Sequence, residues 1–277
     1  MAEVADRTAI AFRHRSAGRG RAVVLIHAFP VDGRLYDVQL SAAEAGRLAA
    51  RVIAVDLPGF GQTPLPDPAP DVLTVEFLAE AVCGWIEAER LGPAIVGGVA
   101  IGGYVAIELA ARRPDLVAGL VLIGCKAAPD NPTMAPKREE LAQLALDRGA
   151  AAVADELHAQ PLGPHADGAV KARMHEMISS ADPRAIAALI RGIARRPDPA
   201  PVLPGLAMPS LVICGERDPF SPLDEARRVA QLMPNADLVI IKGAGHMAPL
   251  EAPIAVSRAL AGFLDRLNQN QTPGGAT

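Results

Sequence analysis

A doubly wound α/β fold, with a mostly parallel sheet and an all-helical insertion, is predicted by three features of this 277-residue sequence. Short, continuously apolar runs alternate with amphipathic helical patterns, as in a sheet covered by helices on both faces. One of those runs passes through a tight glycine turn straight into an apolar helix. Between Lys126 and Pro209 the alternation stops, and only helical patterns remain.

The expected strands lie at residues 9–15, 22–26, 52–55, 94–96, 117–123, 210–214 and 238–241. Helical patterns separate them at 76–89, 101–113, 222–233 and 253–267. The interval without strands holds helical pieces at 137–148, 151–157, 168–180 and 183–195, and Asp-Pro-Ala-Pro-Val-Leu-Pro then punctuates the return to the sheet. These patterns divide the chain into a core at 1–125 and 205–267, a helical cap at 126–204, and a polar tail at 268–277 that is expected to fray.

Residues 94–106 read Ala-Ile-Val-Gly-Gly-Val-Ala-Ile-Gly-Gly-Tyr-Val-Ala. An apolar strand enters the turn Gly98-Val99-Ala100-Ile101-Gly102 and leaves it as a helix. That is the shape of a nucleophile elbow, Gly-x-Ser-x-Gly, in which a serine oxygen stands at the sharp point above the sheet. Here the point carries Ala100. The tip of such a turn is held in a sparsely populated conformation costing about 1–3 kcal/mol, and its neighbours must be tiny. Gly98, Gly102 and Gly103 meet that demand. A plain tight strand-to-helix turn would also accept a small tip residue. A dinucleotide fingerprint read as Gly98-x-Ala100-x-x-Gly103 fails. Its acidic residue should follow the next strand, whereas Asp115 precedes it.

Composition sets outer limits. Half the residues are hydrophobic, 21% are charged and the net charge is −4, so there is a full core and no basic patch for nucleic acid. Cys83, Cys125 and Cys214 lie in apolar runs without metal or disulfide spacing, which predicts buried thiols in a reducing compartment. The first 21 residues mix acids and bases without the apolar stretch of a signal peptide, and no apolar run reaches membrane-spanning length. A cytoplasmic location is expected. The abundance of Ala and the preference for Arg over Lys suggest a GC-rich genome.

Four further strands end in loops with chemistry in them. His27-Ala28-Phe29-Pro30 follows one, and Asp56-Leu57-Pro58-Gly59-Phe60-Gly61 another. Gly215-Glu216-Arg217-Asp218-Pro219-Phe220 brings a carboxylate to the carboxyl edge of the sheet. Gly243-Ala244-Gly245-His246-Met247-Ala248-Pro249 brings an imidazole there. Ligands of open α/β sheets gather at that edge. The chain order is elbow, acid, histidine.

With these motifs the chain resembles the α/β-hydrolase superfamily from about Ala9 to Leu267. The His-Ala-Phe-Pro segment, the Val-Gly-Gly-x-x-x-Gly-Gly-Tyr elbow and the helical cap resemble bacterial hydrolases likened to 3-oxoadipate enol-lactonases. The resemblance implies an esterase or lactonase acting on small to medium uncharged esters, lactones or thioesters, with no metal or organic cofactor. It implies His246 as general base, Asp218 as the carboxylate orienting it, and the Phe29 and Ile101 backbone N–H groups as oxyanion donors. Phe29, Val31, Phe220 and Met247 would line the substrate site. Ala100 stands at the nucleophile position, where a methyl has neither lone pair nor proton to give, so an inactive or severely impaired form is expected. Retention of Asp218 and His246 favours an introduced Ser→Ala change over natural loss.

Each assignment has an alternative. Asp218 could cap the helix near Pro222, and Glu216 competes with it as the acid. His27 is read as structural, holding the oxyanion loop, and Asp56 as a brace for its turn. His158, His165 and His175 are read as solvated. Met134, Met174, Met177 and Met247 could line a pliable acyl pocket or pack the core. Two other classes of function stay open: a natural ligand-binding pseudoenzyme, and a cofactor-free lyase or cyclase in which His246 moves a proton without any nucleophile.

Overall fold

The computed structural model of the chain describes residues 10–269. Ala9 and residues 270–277 of the expected tail lie outside them, while Asn268 and Gln269 belong to the last helix.

One seven-stranded sheet organises the molecule: β1 (His14–Gly18), β2 (Ala22–Ile26), β3 (Arg51–Val55), β4 (Ala94–Val99), β5 (Val117–Ile123), β6 (Ser210–Gly215) and β7 (Ala236–Ile241). The order across it is β1-β3-β2-β4-β5-β6-β7. Only β1 runs antiparallel to its neighbour; the other pairs are parallel. Strands β2, β4 and β6 are buried along their whole length, as continuous apolar runs under helices on both faces should be. The winding leaves β2 toward β3 on one side and resumes with β4 on the other. The crevice that ligands favour therefore opens at the carboxyl ends of β2 and β4.

The first strand begins at His14, not at residue 9. Phe12, ahead of it, is a buried anchor whose ring lies 5.9 Å from that of Trp85. His-Arg-Ser-Ala-Gly, by contrast, is a half-exposed edge strand fixed by its pairing with β3 and not by its side chains.

Among the described residues six α-helices accompany the sheet: α1 (Asp37–Glu44), α2 (Val75–Ala88), α3 (Ile101–Arg112), α7 (Leu223–Leu232), α8 (Ala248–Glu251) and α9 (Pro253–Gln269). Between β5 and β6 the described residues form no strand. They fold instead into α4 (Ala135–Leu157), α5 (Gly168–Ser179) and α6 (Pro183–Ala194). Gly149, at φ 83° and ψ 173°, interrupts α4 where the sequence pattern divides into two pieces. Asp167 and Asp182 cap α5 and α6 by accepting from the Val170 and Arg184 backbone N–H groups.

This helical layer rests on loops that leave the carboxyl edge of the sheet. Asp182 N donates to Gly59 O (2.9 Å), Leu73 N to Ala188 O (3.0 Å) and His246 N to Pro161 O (2.8 Å). Arg34, beyond β2, pairs with Glu176 of α5 at 2.8 Å and donates to the Ser180 hydroxyl at 2.6 Å. Arg173 of α5 reaches Asp37 at 2.9 Å.

Candidate active site

Ala100 joins β4 to α3 with φ 49° and ψ −109°, left-handed backbone on a residue that has a Cβ. Main-chain bonds hold it there. Ala100 N donates to Ile123 O of β5 (2.9 Å), and Tyr104 N donates back to Ala100 O (3.0 Å). The surroundings allow no bulk. A Cβ at Gly98 or Gly102 would collide with the Ile26 carbonyl, and one at Gly103 with the Cys125 sulfur. The tip residue itself is only half-buried.

Two N–H groups near the tip are free. Among the described residues neither Phe29 N nor Ile101 N has a hydrogen-bond acceptor. Ile101 is the first residue of the 12-residue α3, where unpaired N–H groups and the helix dipole favour negative charge. The loop that carries Phe29 is set by His27 and Asp56. Leu57 N donates to His27 Nε2 at 2.9 Å, so that nitrogen must be an acceptor, while His27 Nδ1 faces Ala28 O at 2.9 Å. Full burial lowers the His27 pKa below its ordinary value and keeps the ring neutral, with the Ala28 carbonyl, Asp56 and Asp32 opposing the shift. Asp56 accepts from Gly33 N (2.8 Å) and Gln62 N (2.9 Å), tying two loops together.

On the opposite side, Asp218 and His246 meet. Asp218 Oδ2 lies 2.7 Å from His246 Nδ1, and both residues are buried. A carboxylate oxygen accepts, so Nδ1 carries the hydrogen and Nε2 is left as the basic nitrogen. Asp218 Oδ1 accepts from Phe220 N and Ser221 N, both at 2.8 Å, which locks the carboxylate plane. The cap residue of α7 is Pro222, without a side-chain bond, and Glu216 faces Gly243 N at 3.1 Å instead of the imidazole. Beneath the pair runs Gly124, where a Cβ would come within 2.9 Å of His246 Nδ1 and 3.1 Å of Asp218 Oδ2. Phe220, 44% exposed, sets its ring edge-on to the imidazole at 5.3 Å. Val31 and Met247 are buried.

Glu251 escaped the sequence reading. Its carboxylate accepts from Gly245 N (3.0 Å) and Met247 N (3.1 Å), on either side of His246, and from Gly163 N of the helical layer (2.7 Å). The signal was available: a glycine-rich loop needs an acceptor for its N–H groups, and an acid follows five residues after the histidine.

The other candidates fall away from this centre. His158 and His165 are exposed, and His175 lies 2.9 Å from Asp155. Met174 and Met177 pack in the core. No group of three or more metal-ligating side chains is assembled among the described residues. Nor is any described helix long and apolar enough to cross a membrane.

Known proteins share this fold widely. A pimeloyl-[acyl-carrier protein] methyl ester esterase of Chromobacterium violaceum is 29% identical over 90% of this chain and 96% of its own length. A thermophilic esterase from Thermogutta terrifontis, solved with malate bound, superimposes with a TM-score of 0.84 at 32% identity, covering 92% of this chain and 93% of that one. The enol-lactonase from Burkholderia xenovorans LB400 shares the fold, with a TM-score of 0.82 at 24% identity over 93% and 98% of the two chains. The family model for alpha/beta hydrolases matches residues 23–259, from within β2 into α9, and the chain belongs to that family.

Proposed function

We propose that this chain is the framework of a carboxylic ester hydrolase, acting by acyl transfer on a small to medium ester or lactone (thioesters included). Ala100 holds it in a nucleophile-less form. The observation that carries this reading is a residue with a Cβ, strained at a strand-to-helix turn, on the same sheet edge as an Asp–His pair and two N–H groups without an acceptor. The methyl ester esterase relative supports an ester as substrate. Residues 126–204 act as the cap over the site, and 1–125 with 205–267 as its core. Three free, buried thiols support a cytoplasmic location.

A serine at position 100 would give each of these residues a step. His246 Nε2 takes the hydroxyl proton as the oxygen attacks the acyl carbon, and Asp218 steadies the imidazolium. Phe29 N and Ile101 N stabilise the oxyanion. His246 returns the proton to the departing alkoxide, and water repeats the cycle on the acyl-enzyme. With Ala100 the first bond cannot form. Positioning survives, because it rests on other groups, so the present chain binds substrate without turning it over.

Ala100→Ser, assayed on short-chain aryl esters and simple lactones, tests the proposal. Hydrolysis by this variant and not by its parent is expected; no gain on any of them overturns it. The Asp–His pair beside a methyl also suits a proton-moving lyase or cyclase. Turnover by the unaltered chain that disappears in His246→Ala would mark that second reading.

A further inference from the structure

Arg196, just past the end of α6, lays its guanidinium over the ring of Tyr104 in the elbow helix, 4.1 Å from the centroid. The Tyr104 hydroxyl accepts from Lys126 N at 2.9 Å, and Tyr104 N is the donor to Ala100 O. Tyr104, which carries the stack, therefore stands one helical turn from the elbow tip. Arg196 is 6% exposed, and its buried Nη1 has no hydrogen-bond partner. It forms no ion pair with a described carboxylate.

The groups around it do not supply the missing charge. Burial pushes the Tyr104 phenol up, and the Cys125 thiol up to about 12, so both are neutral. Lys126 adds a second cation, its pKa lowered by burial and then by Arg196. Asp130 is taken by both arms of Arg138, at 2.5 and 2.6 Å. Glu225 accepts from Ala127 N at 3.1 Å and makes no salt bridge with Arg196. A guanidinium drawn out of water costs more than a ring face alone returns, and that cost falls when an anion takes its place beside it.

We propose that Arg196, held flat by Tyr104, is an anion subsite beside the elbow helix, and that the acyl substrate carries a carboxylate which docks there. The proposal rests on the ester or lactone reading and narrows it, replacing the uncharged substrates that the motifs imply. A planar fork of donors matches a carboxylate better than a compact ammonium does. A carboxylate at Arg196 and an acyl carbon above Ala100 mark the two ends of one molecule, such as a dicarboxylic half-ester or a carboxylated lactone.

Because Ala100 prevents turnover, binding to the unaltered chain can be measured at equilibrium. Calorimetry would compare the monomethyl esters of succinate, glutarate and adipate with the matching dimethyl esters. One half-ester is expected to bind at least about tenfold more tightly than its neutral counterpart. Acetate should compete with it. Arg196→Met, which keeps an apolar stem over Tyr104, should erase the preference, and Arg196→Lys should keep part of it. Equal affinity for half-ester and diester in the unaltered chain overturns the subsite without need of any variant. So do a preference that survives Arg196→Met and a failure of every half-ester to bind. The two readings fail separately. Hydrolysis of diesters by Ala100→Ser with no half-ester preference removes the subsite alone. Half-ester binding that depends on Arg196, with no hydrolysis by Ala100→Ser, removes acyl transfer alone.

Discussion

The elbow and the Asp218–His246 pair occupy the same edge of one sheet, yet they are held by different means. Backbone alone holds the elbow: Ile123 O and Tyr104 N on Ala100, with glycines where any Cβ would collide. Side chains hold the pair: Asp218 grips the imidazole and two amides, and Glu251 grips the loop on both sides of His246. The side chain at the tip takes no part in fixing its own place, so exchanging it leaves the shape of the elbow intact. Neither member of the pair can be lost so quietly.

The sharpest test of that contrast is Ala100→Ser. Ester hydrolysis should rise by about 10⁶ in kcat, the loss seen when a serine protease is stripped of its nucleophile, or about 8 kcal/mol of barrier. The melting curve should not move. In that background Asp218→Asn should cost about 10⁴-fold in kcat, by analogy with the protease triad. It should also lower the melting temperature, since Phe220 N and Ser221 N lose a charged acceptor. An unchanged melt would show that the pair's side chains do not hold their loops. Glu251→Ala should destabilise the fold by about 2 kcal/mol in urea titrations, the cost of unpairing half-buried donors, with Glu251→Gln recovering part of it.

His27 gives the contrast a pH signature. Its folded pKa is depressed by burial below the ordinary 6.5, so below that pH the unfolded chain binds the extra proton first. Stability is fully present above pH 6.5 and falls as pH drops toward the folded pKa, by at most about 1.4 kcal/mol per pH unit for one proton. Urea midpoints from pH 7.5 to 5.5 (about the imidazole range) should show this slope, reduced in His27→Gln. The smallest effect is Ala100→Gly, which relieves the positive φ and should stabilise by about 1 kcal/mol in thermal melts. Destabilisation would show that the methyl packs in a way the strain argument ignores.

Much of this was readable from sequence because the site sits where strand patterns end. Glycines at 98, 102 and 103 encode close approach, and close approach is what an elbow needs. The buried parallel strands were legible as apolar runs. β1 was not, because an edge strand of His-Arg-Ser-Ala-Gly carries no apolar pattern and its pairing with β3 is nonlocal. α1 has weak amphipathicity and no side-chain cap to announce it. Arg196 and Glu251 look like ordinary surface charges in the sequence. Only folding shows that one is buried over a tyrosine and the other is shared by three amides.

The dihedral angles at position 100 have a consequence for the cell. Their cost is set by the presence of a Cβ and not by what the Cβ bears, so alanine and serine fold there at equal expense. Chaperones and proteases respond to unfolded chain and have no means of telling the two apart. The alanine form is therefore expected to reach the abundance of a working copy. Under the acyl-transfer reading it would then act by dose. Each folded molecule withdraws one substrate from circulation and returns it unchanged, a reservoir where a catalyst would otherwise stand.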